Sequence, residues 1–314
     1  MIYTPNRIEL SLDCSTEKFM KLRSNAYDAD YTLATDGLEI EYRDSTYKKK
    51  IKIIVNPVAF ADNASGKIWS QSNDNTQKFI RKLEKLIDRC FGSKCKLSDF
   101  DLTDISFVTN IDAGSRKNVS AYIKVLRNIG KVKGFSPMQY EDYNNINSSN
   151  SFGLSGNSNG VEFLAYDKEA VSTEKDFKGI ISVEVRLTKQ KTIRKYTGSV
   201  TTAEQLERLA ANSKEVFLDT FVHVVPYGDF YKKKDIVRII EKSNLNRKSK
   251  NKMLRLLELI PKKKSLLLAQ KALNERNIDK VMTLFYELNI SPVTISKQQP
   301  IDYLDTLYVY LLDD

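Results

Sequence analysis

Residues 159–187, NGVEFLAYDKEAVSTEKDFKGIISVEVRL, decide how this chain is read. Positions 161–168 and 180–189 are rich in apolar, β-branched and aromatic residues and read as strands separated by a polar, charged link. Tyr166 and Lys168 stand two apart at the end of the first run, and Glu184 stands alone in the middle of the second. Side chains two apart in a strand share a face, so the phenol and the ammonium are expected to address one spot. A phenol can attack phosphorus, a cation can offset developing charge, and a carboxylate can hold a divalent metal. The stretch therefore points to phosphoryl-transfer chemistry on a sheet.

Working outward, RIELSLD, GLEIEYRD and KKIKIIVNP near the N-terminus alternate apolar and polar residues and read as strands. Pro57 closes the last of them, since proline cannot donate to a ladder. A polar, glycine-containing loop is expected at 62–74. A helix follows at 76–90, with Phe79, Leu83, Leu86, Ile87 and Cys90 on one side. DLTDISFVTNID reads as a strand ending at Asp112, and Ser115 as the cap of a helix carrying Val119, Ile123 and Leu126. Residues 136–159 read as an exposed loop interrupted by a short strand, SFGLSG, and NSNG makes a tight turn into the Tyr166 strand.

After Thr201 the pattern becomes helical, and Pro226, Tyr227 and Gly228 interrupt it. Short amphipathic helices follow to about residue 288, an arrangement that fits a helix-turn-helix type module. The expected fold class is α+β, a mostly antiparallel sheet with helices on one face and a C-terminal helical domain. The expected units are 1–200, carrying the chemistry, and 201–314, basic and helical. The partly apolar tail is expected to pack back on one of them.

The formal net charge of +10 lies in one place. Residues 228–298 hold 17 lysines and arginines against 7 acids, which leaves 33 of each sign elsewhere. A neutral body joined to a basic segment suggests an electrostatic partner, most often nucleic acid, against the plainer reading of a solvated lysine-rich helical face. Three cysteines (Cys14, Cys90, Cys95) form no paired framework and read as reduced thiols in a cytoplasmic protein. No apolar run reaches the roughly 18 residues of a membrane span, and the N-terminus has no secretory pattern. A single histidine, His223, excludes two-imidazole metal clamps and is read as structural.

At these residues the chain resembles rolling-circle replication initiators. The nearest likeness is to the filamentous-phage gene-two replication endonucleases and their relatives in phages and plasmids of Gram-positive bacteria, with the Rep-trans plasmid initiators related. IKIIVNPVAF, ISFVTNID, VEFLAYDKE and KGIISVEVRL resemble the family's strands in their order, and HVVPYGDFYKKKDIVRIIEKS with LNISPVTIS resembles the helical tail of the Gram-positive branch. No one motif is specific; their order and spacing carry the likeness. Two positions depart from the pattern: Asn110 and Ser182 stand where the family has arginine.

The resemblance implies an initiator-like palm and a metal-dependent nickase and ligase acting on origin DNA. It makes Tyr166 the nucleophile, forming a 5′-phosphotyrosine, with Lys168 beside the phosphate; Tyr196 is the rival nucleophile. Asp112 and Glu184 are the expected ligands of Mg2+ or Mn2+, because carboxylates in apolar strands are costly to bury unpaired. Salt bridges to Arg186 or a neighbouring lysine are the alternative. Arg186 and the basic residues Lys232, Lys233, Lys234, Arg247, Lys248, Lys250 and Lys252 are expected to contact DNA. A host helicase and a second copy of the chain are candidate protein partners. The competing functions are a non-catalytic DNA-binding regulator and a plasmid-mobilising relaxase.

Overall fold

The computed structural model of the protein describes residues 3–26, 37–60, 73–92, 95–140, 146–172 and 177–312. Runs rich in apolar and β-branched residues, some of them alternating with polar ones, form the eight strands of one sheet. They are β1 (Thr4–Cys14), β2 (Leu38–Asp44), β3 (Lys49–Val55), β4 (Asp101–Asp112), β5 (Phe135–Pro137), β6 (Ser151–Gly156), β7 (Val161–Asp167) and β8 (Ile180–Leu187). Their order is β2-β3-β1-β4-β8-β7-β6-β5, and every neighbouring pair is antiparallel. The residues on one face (Ile8 and Leu10, Ile51 and Ile53, Ile105 and Phe107, Val183 and Val185, Phe163) are fully buried.

Helices cover that apolar face. Amphipathic α1 (Thr16–Ala26) touches β1 and β3. After the four-residue α2 (Pro57–Phe60), α3 (Asn73–Phe91) buries Phe79, Leu83, Leu86, Ile87 and Cys90, the residues its sequence period places together. Helix α4 (Arg116–Ile129) starts at Ser115, whose side chain accepts the Asn118 N–H, and packs on β6, β7 and β8. A one-turn α5 (Lys168–Val171) follows β7, and α6 (Gln190–Thr197) follows β8. Helices α7 (Thr202–Ala211) and α8 (Ser213–Val224) complete the cover, Phe221 of α8 lying 6.1 Å from Phe163 of β7. Burying a phenylalanine of this kind contributes about 1.5–3 kcal/mol.

The change of composition at Thr201 therefore does not mark a new core, because 202–224 belong to the sheet's cover. Beyond them lie α9 (Lys233–Lys242), α10 (Arg247–Lys263), α11 (Leu266–Leu273), α12 (Ile278–Glu287) and a terminal α13 (Leu307–Leu312). One apolar cluster runs from Tyr3 to Leu311 and joins these helices to the body. Tyr122 of α4 meets Phe230 at 6.3 Å, and the Tyr3 hydroxyl donates to the Leu311 carbonyl at 2.8 Å, so the tail packs back as expected. At Gly130 (φ 63°) a Cβ would come within 2.3 Å of the Lys264 carbonyl oxygen, so glycine is required where α4 meets the α10–α11 turn. The loop expected at 62–74 falls largely outside the described residues, although Asn73 and Asp74 already open α3. Among the described residues no helix is long and apolar enough to cross a membrane.

Candidate functional site

The second face of the sheet is polar, and strand register determines which side chains meet on it. Opposite Ser106, Val108, Asn110 and Asp112 of β4 stand Arg186, Glu184, Ser182 and Ile180 of β8. Opposite Arg186, Glu184 and Ser182 on the other side stand Glu162, Leu164 and Tyr166 of β7. Tyr166, Ser182 and Asn110 thus form one rung across three strands.

Tyr166 is 7% exposed and packs with Met138 and Leu164, with Tyr140, Ile146 and Val171 at the margin. Burial pushes its phenol well above the usual tyrosine value and the Glu184 carboxylate adds to that, while the neighbouring Ser182 hydroxyl works the other way. The resting phenol is therefore firmly protonated. Lys168 reaches this rung by a route the sequence did not indicate. The strand ends at Asp167, which caps α5 through the Glu169 N–H, so Lys168 is the first helical residue and not a strand neighbour of Tyr166. Its ammonium nevertheless donates to Asn110 Oδ1 at 3.2 Å and lies 4.4 Å from the centre of the Phe177 ring. The Ser182 hydroxyl donates to the same Asn110 oxygen at 2.7 Å.

Glu184 is 4% exposed and accepts from the Asn6 side-chain amide at 3.2 Å. Burial raises its carboxyl above the usual value, while Arg186 and Asn6 partly offset this. Asp112 does not join it. It is the exposed last residue of β4, and its Oδ1 accepts the Gly114 N–H at 2.7 Å. It lies four ladder positions from Val108, the partner of Glu184, or roughly 13 Å along the strand. The expected two-carboxylate clamp is thus not formed, because both acids face one side of the sheet but at different heights. Among the described residues no group of three or more histidine, cysteine, aspartate or glutamate residues could hold a metal. Glu184 alone suits magnesium or manganese only where substrate phosphate oxygens complete the shell, which is how such ions commonly bind.

Arg186, expected on DNA, is committed within the protein. Its guanidinium bonds Asp104 through Nε at 2.8 and 2.9 Å and through Nη2 at 2.8 Å, and Nη1 lies 3.5 Å from Glu162. The cluster continues through Glu9, which pairs with Lys52 at 2.6 Å and with Arg7 at 3.6 Å. A buried guanidinium needs such partners, and that need outweighs a surface role. The signal for this cluster was present in the strand period: Glu9, Asp104, Glu162 and Arg186 occupy the non-apolar alternate positions of their strands.

Tyr196 lies elsewhere. Its helix α6 follows the far end of β8 from Ser182 and touches β4 and α7. Its hydroxyl donates to Asp219 at 3.1 Å and lies 3.4 Å from the Lys195 ammonium. The ring of His223 binds the Lys133 carbonyl through Nε2 at 3.0 Å and lies 5.7 Å from Phe135, a structural placement.

The basic residues of the C-terminal helices divide into two sets. Lys232 pairs with Asp302 at 2.8 Å, Lys252 pairs with Glu275, and Lys250 donates to the Glu241 carbonyl at 2.8 Å. Lys233 is half-buried, whereas Lys234, Arg247 and Lys248 are exposed. Helices α9 and α10 are joined by four residues, 243–246, as a helix-turn-helix pair is. The first turn of α10 holds Arg247, Lys248 and Lys250 and no acid, which opposes the helix dipole and favours an incoming phosphate. No protein-family model, no curated protein and no solved structure matches the chain.

Proposed function

We propose that this chain is a DNA nickase and ligase of the rolling-circle initiator kind, acting through Tyr166. The observation that carries the reading is the rung Tyr166–Ser182–Asn110 with the Lys168 ammonium fixed at its end and Glu184 alongside. In the reaction the Tyr166 phenol gives up its proton, its oxygen bonds to phosphorus, and the bond from phosphorus to the 3′ oxygen breaks. That oxygen takes a proton and leaves as a 3′-hydroxyl, and the 5′-phosphotyrosine conserves the bond for rejoining. Lys168 offsets charge on the phosphate as it builds. Because burial holds the phenol protonated, ionisation at Tyr166 requires the cations of the loaded site. Magnesium or manganese, held by Glu184 and substrate oxygens, would supply further charge neutralisation. The exposed basic residues of α9 and α10 would track the duplex backbone beside the nick. A cytoplasmic location goes with this reading.

A second reading has its own support. The burial of Tyr166 and the internal pairing of Arg186 suit a scaffold sheet, with α9 and α10 making a non-catalytic DNA-binding regulator. One experiment separates the two. The protein is incubated with a pool of single-stranded oligonucleotides and manganese, then run on a denaturing gel. A nickase yields a protein-linked strand that disappears in Tyr166→Phe; a regulator yields none. An adduct of full yield in Tyr166→Phe removes the assignment of the nucleophile.

A further inference from the structure

We infer that Asn110 is a positioning residue: with Phe177 it holds the Lys168 ammonium at the Tyr166 rung, and it acts only through Lys168. The inference rests on the nickase reading for its chemistry but on geometry for its substance. Lysine has a flexible four-carbon stem, and Lys168 starts a one-turn helix instead of continuing the strand. Among its contacts, the Asn110 oxygen at 3.2 Å and the Phe177 ring at 4.4 Å hold it toward the rung.

The amide itself is oriented. Two donors, Lys168 and Ser182, converge on one Asn110 atom, which assigns that atom as the oxygen. Ser182 is fully buried and stands opposite both Asn110 and Tyr166, so its position is set by the ladder. The negative end of the amide dipole is thereby pointed at the ammonium. An amide oxygen holds a cation without neutralising it, whereas a carboxylate at 110 would cancel the charge a phosphate needs. This gives asparagine, rather than aspartate, a chemical reason at this position. Asn110 is exposed, so its replacement does not disturb the core.

The test is a double-mutant cycle on the rate of adduct formation, using an oligonucleotide recovered from the pool above. Asn110→Leu is expected to slow the reaction about tenfold, the scale of a lost hydrogen bond to a charged group. In a Lys168→Met background the same change is expected to cost nothing further; additive losses would overturn the inference. A second measurement needs no activity. With lysines 13C-methylated, the Lys168 resonance, assigned by its loss in Lys168→Arg, should carry a ring-current shift from Phe177. That shift should collapse in Phe177→Leu and shrink in Asn110→Leu or Asn110→Ala. A resonance unmoved by the Asn110 changes sinks the positioning role whether or not nicking is found. A wild-type protein that forms no adduct sinks the nickase reading alone.

Discussion

The two ends of the polar sheet face arrange their polar groups differently. At the Arg186 end, charge meets charge: Arg186 with Asp104 and Glu162, and Glu9 with Lys52 and Arg7. At the Tyr166 end the Lys168 ammonium contacts the Asn110 oxygen and the Phe177 ring. A cluster whose charges cancel one another has little left to offer a ligand. On the proposed reading the Arg186 end is architecture and the Tyr166 end carries the chemistry, although both hold the residue types that sequence reading treats as functional.

The largest effect that would break this contrast is on chemistry. Tyr166→Phe removes only the hydroxyl from a packed ring, so the protein should melt as before while the covalent adduct is lost altogether. Mass spectrometry of the peptide holding residue 166 reads the outcome. An adduct mapped to Tyr196 would move the chemistry to α6, behind the sheet and away from the Lys168 rung.

The next effect is on stability and belongs to the other end. Arg186→Met leaves Asp104 and Glu162 without their cation, and breaking a buried pair from one side costs about 3–5 kcal/mol. The double variant Arg186→Met with Asp104→Leu should recover much of that loss, measured by urea unfolding. If the single variant unfolds like the wild type, the cluster is not architectural and Arg186 becomes available for DNA again.

Glu184 sits between the two ends, and its burial makes a pH prediction. Its folded carboxyl titrates above the ordinary value of 4.5, with burial the main cause. The unfolded chain therefore releases this proton first, and Glu184 removes stability as pH rises from about 4.5 through its folded value. Glu184→Gln should remove that decline, so the variant gains on the wild type across the window and keeps the gain above it. Unfolding curves at stepped pH measure the difference; parallel curves would show that the carboxylate is solvated after all.

How much of this was legible follows from what a strand's period can and cannot carry. Alternation placed β1, β2 and β3, apolar runs placed β4, β7 and β8, and the helical face of α3 emerged residue for residue, because burial on one side is written locally. The strand register, not the period, puts Tyr166 and Glu184 on the same face. The period did not give strand order, and so it could not say that Asn110 and Ser182 face each other. Those two positions, where the chain departs from the expected pattern, are the hydrogen-bonded centre of the candidate site. The Asp112–Glu184 clamp failed for the same reason, since parity fixes a face but not a height along it. Lys168 was placed by a strand rule that stopped applying one residue earlier, when Asp167 capped a helix.

The smallest effect concerns the basic helices, and it sharpens the division between cations paired inside the protein and cations left for a partner. Lys232 and Lys252 already have carboxylate partners, while Arg247 and Lys248 are exposed at the start of α10, where the helix dipole makes them locally unfavourable. Each cation that contacts a duplex phosphate contributes about 0.9 to the slope of log affinity against log salt. Arg247→Ala with Lys248→Ala should therefore lower that slope by nearly two, whereas Lys232→Ala with Lys252→Ala should change it much less. Fluorescence anisotropy on labelled duplex at several salt concentrations compares the pairs. Equal slopes for both would mean that ion pairing within the protein does not decide which lysines meet DNA, and the α10 N-terminus would lose its claim to the backbone.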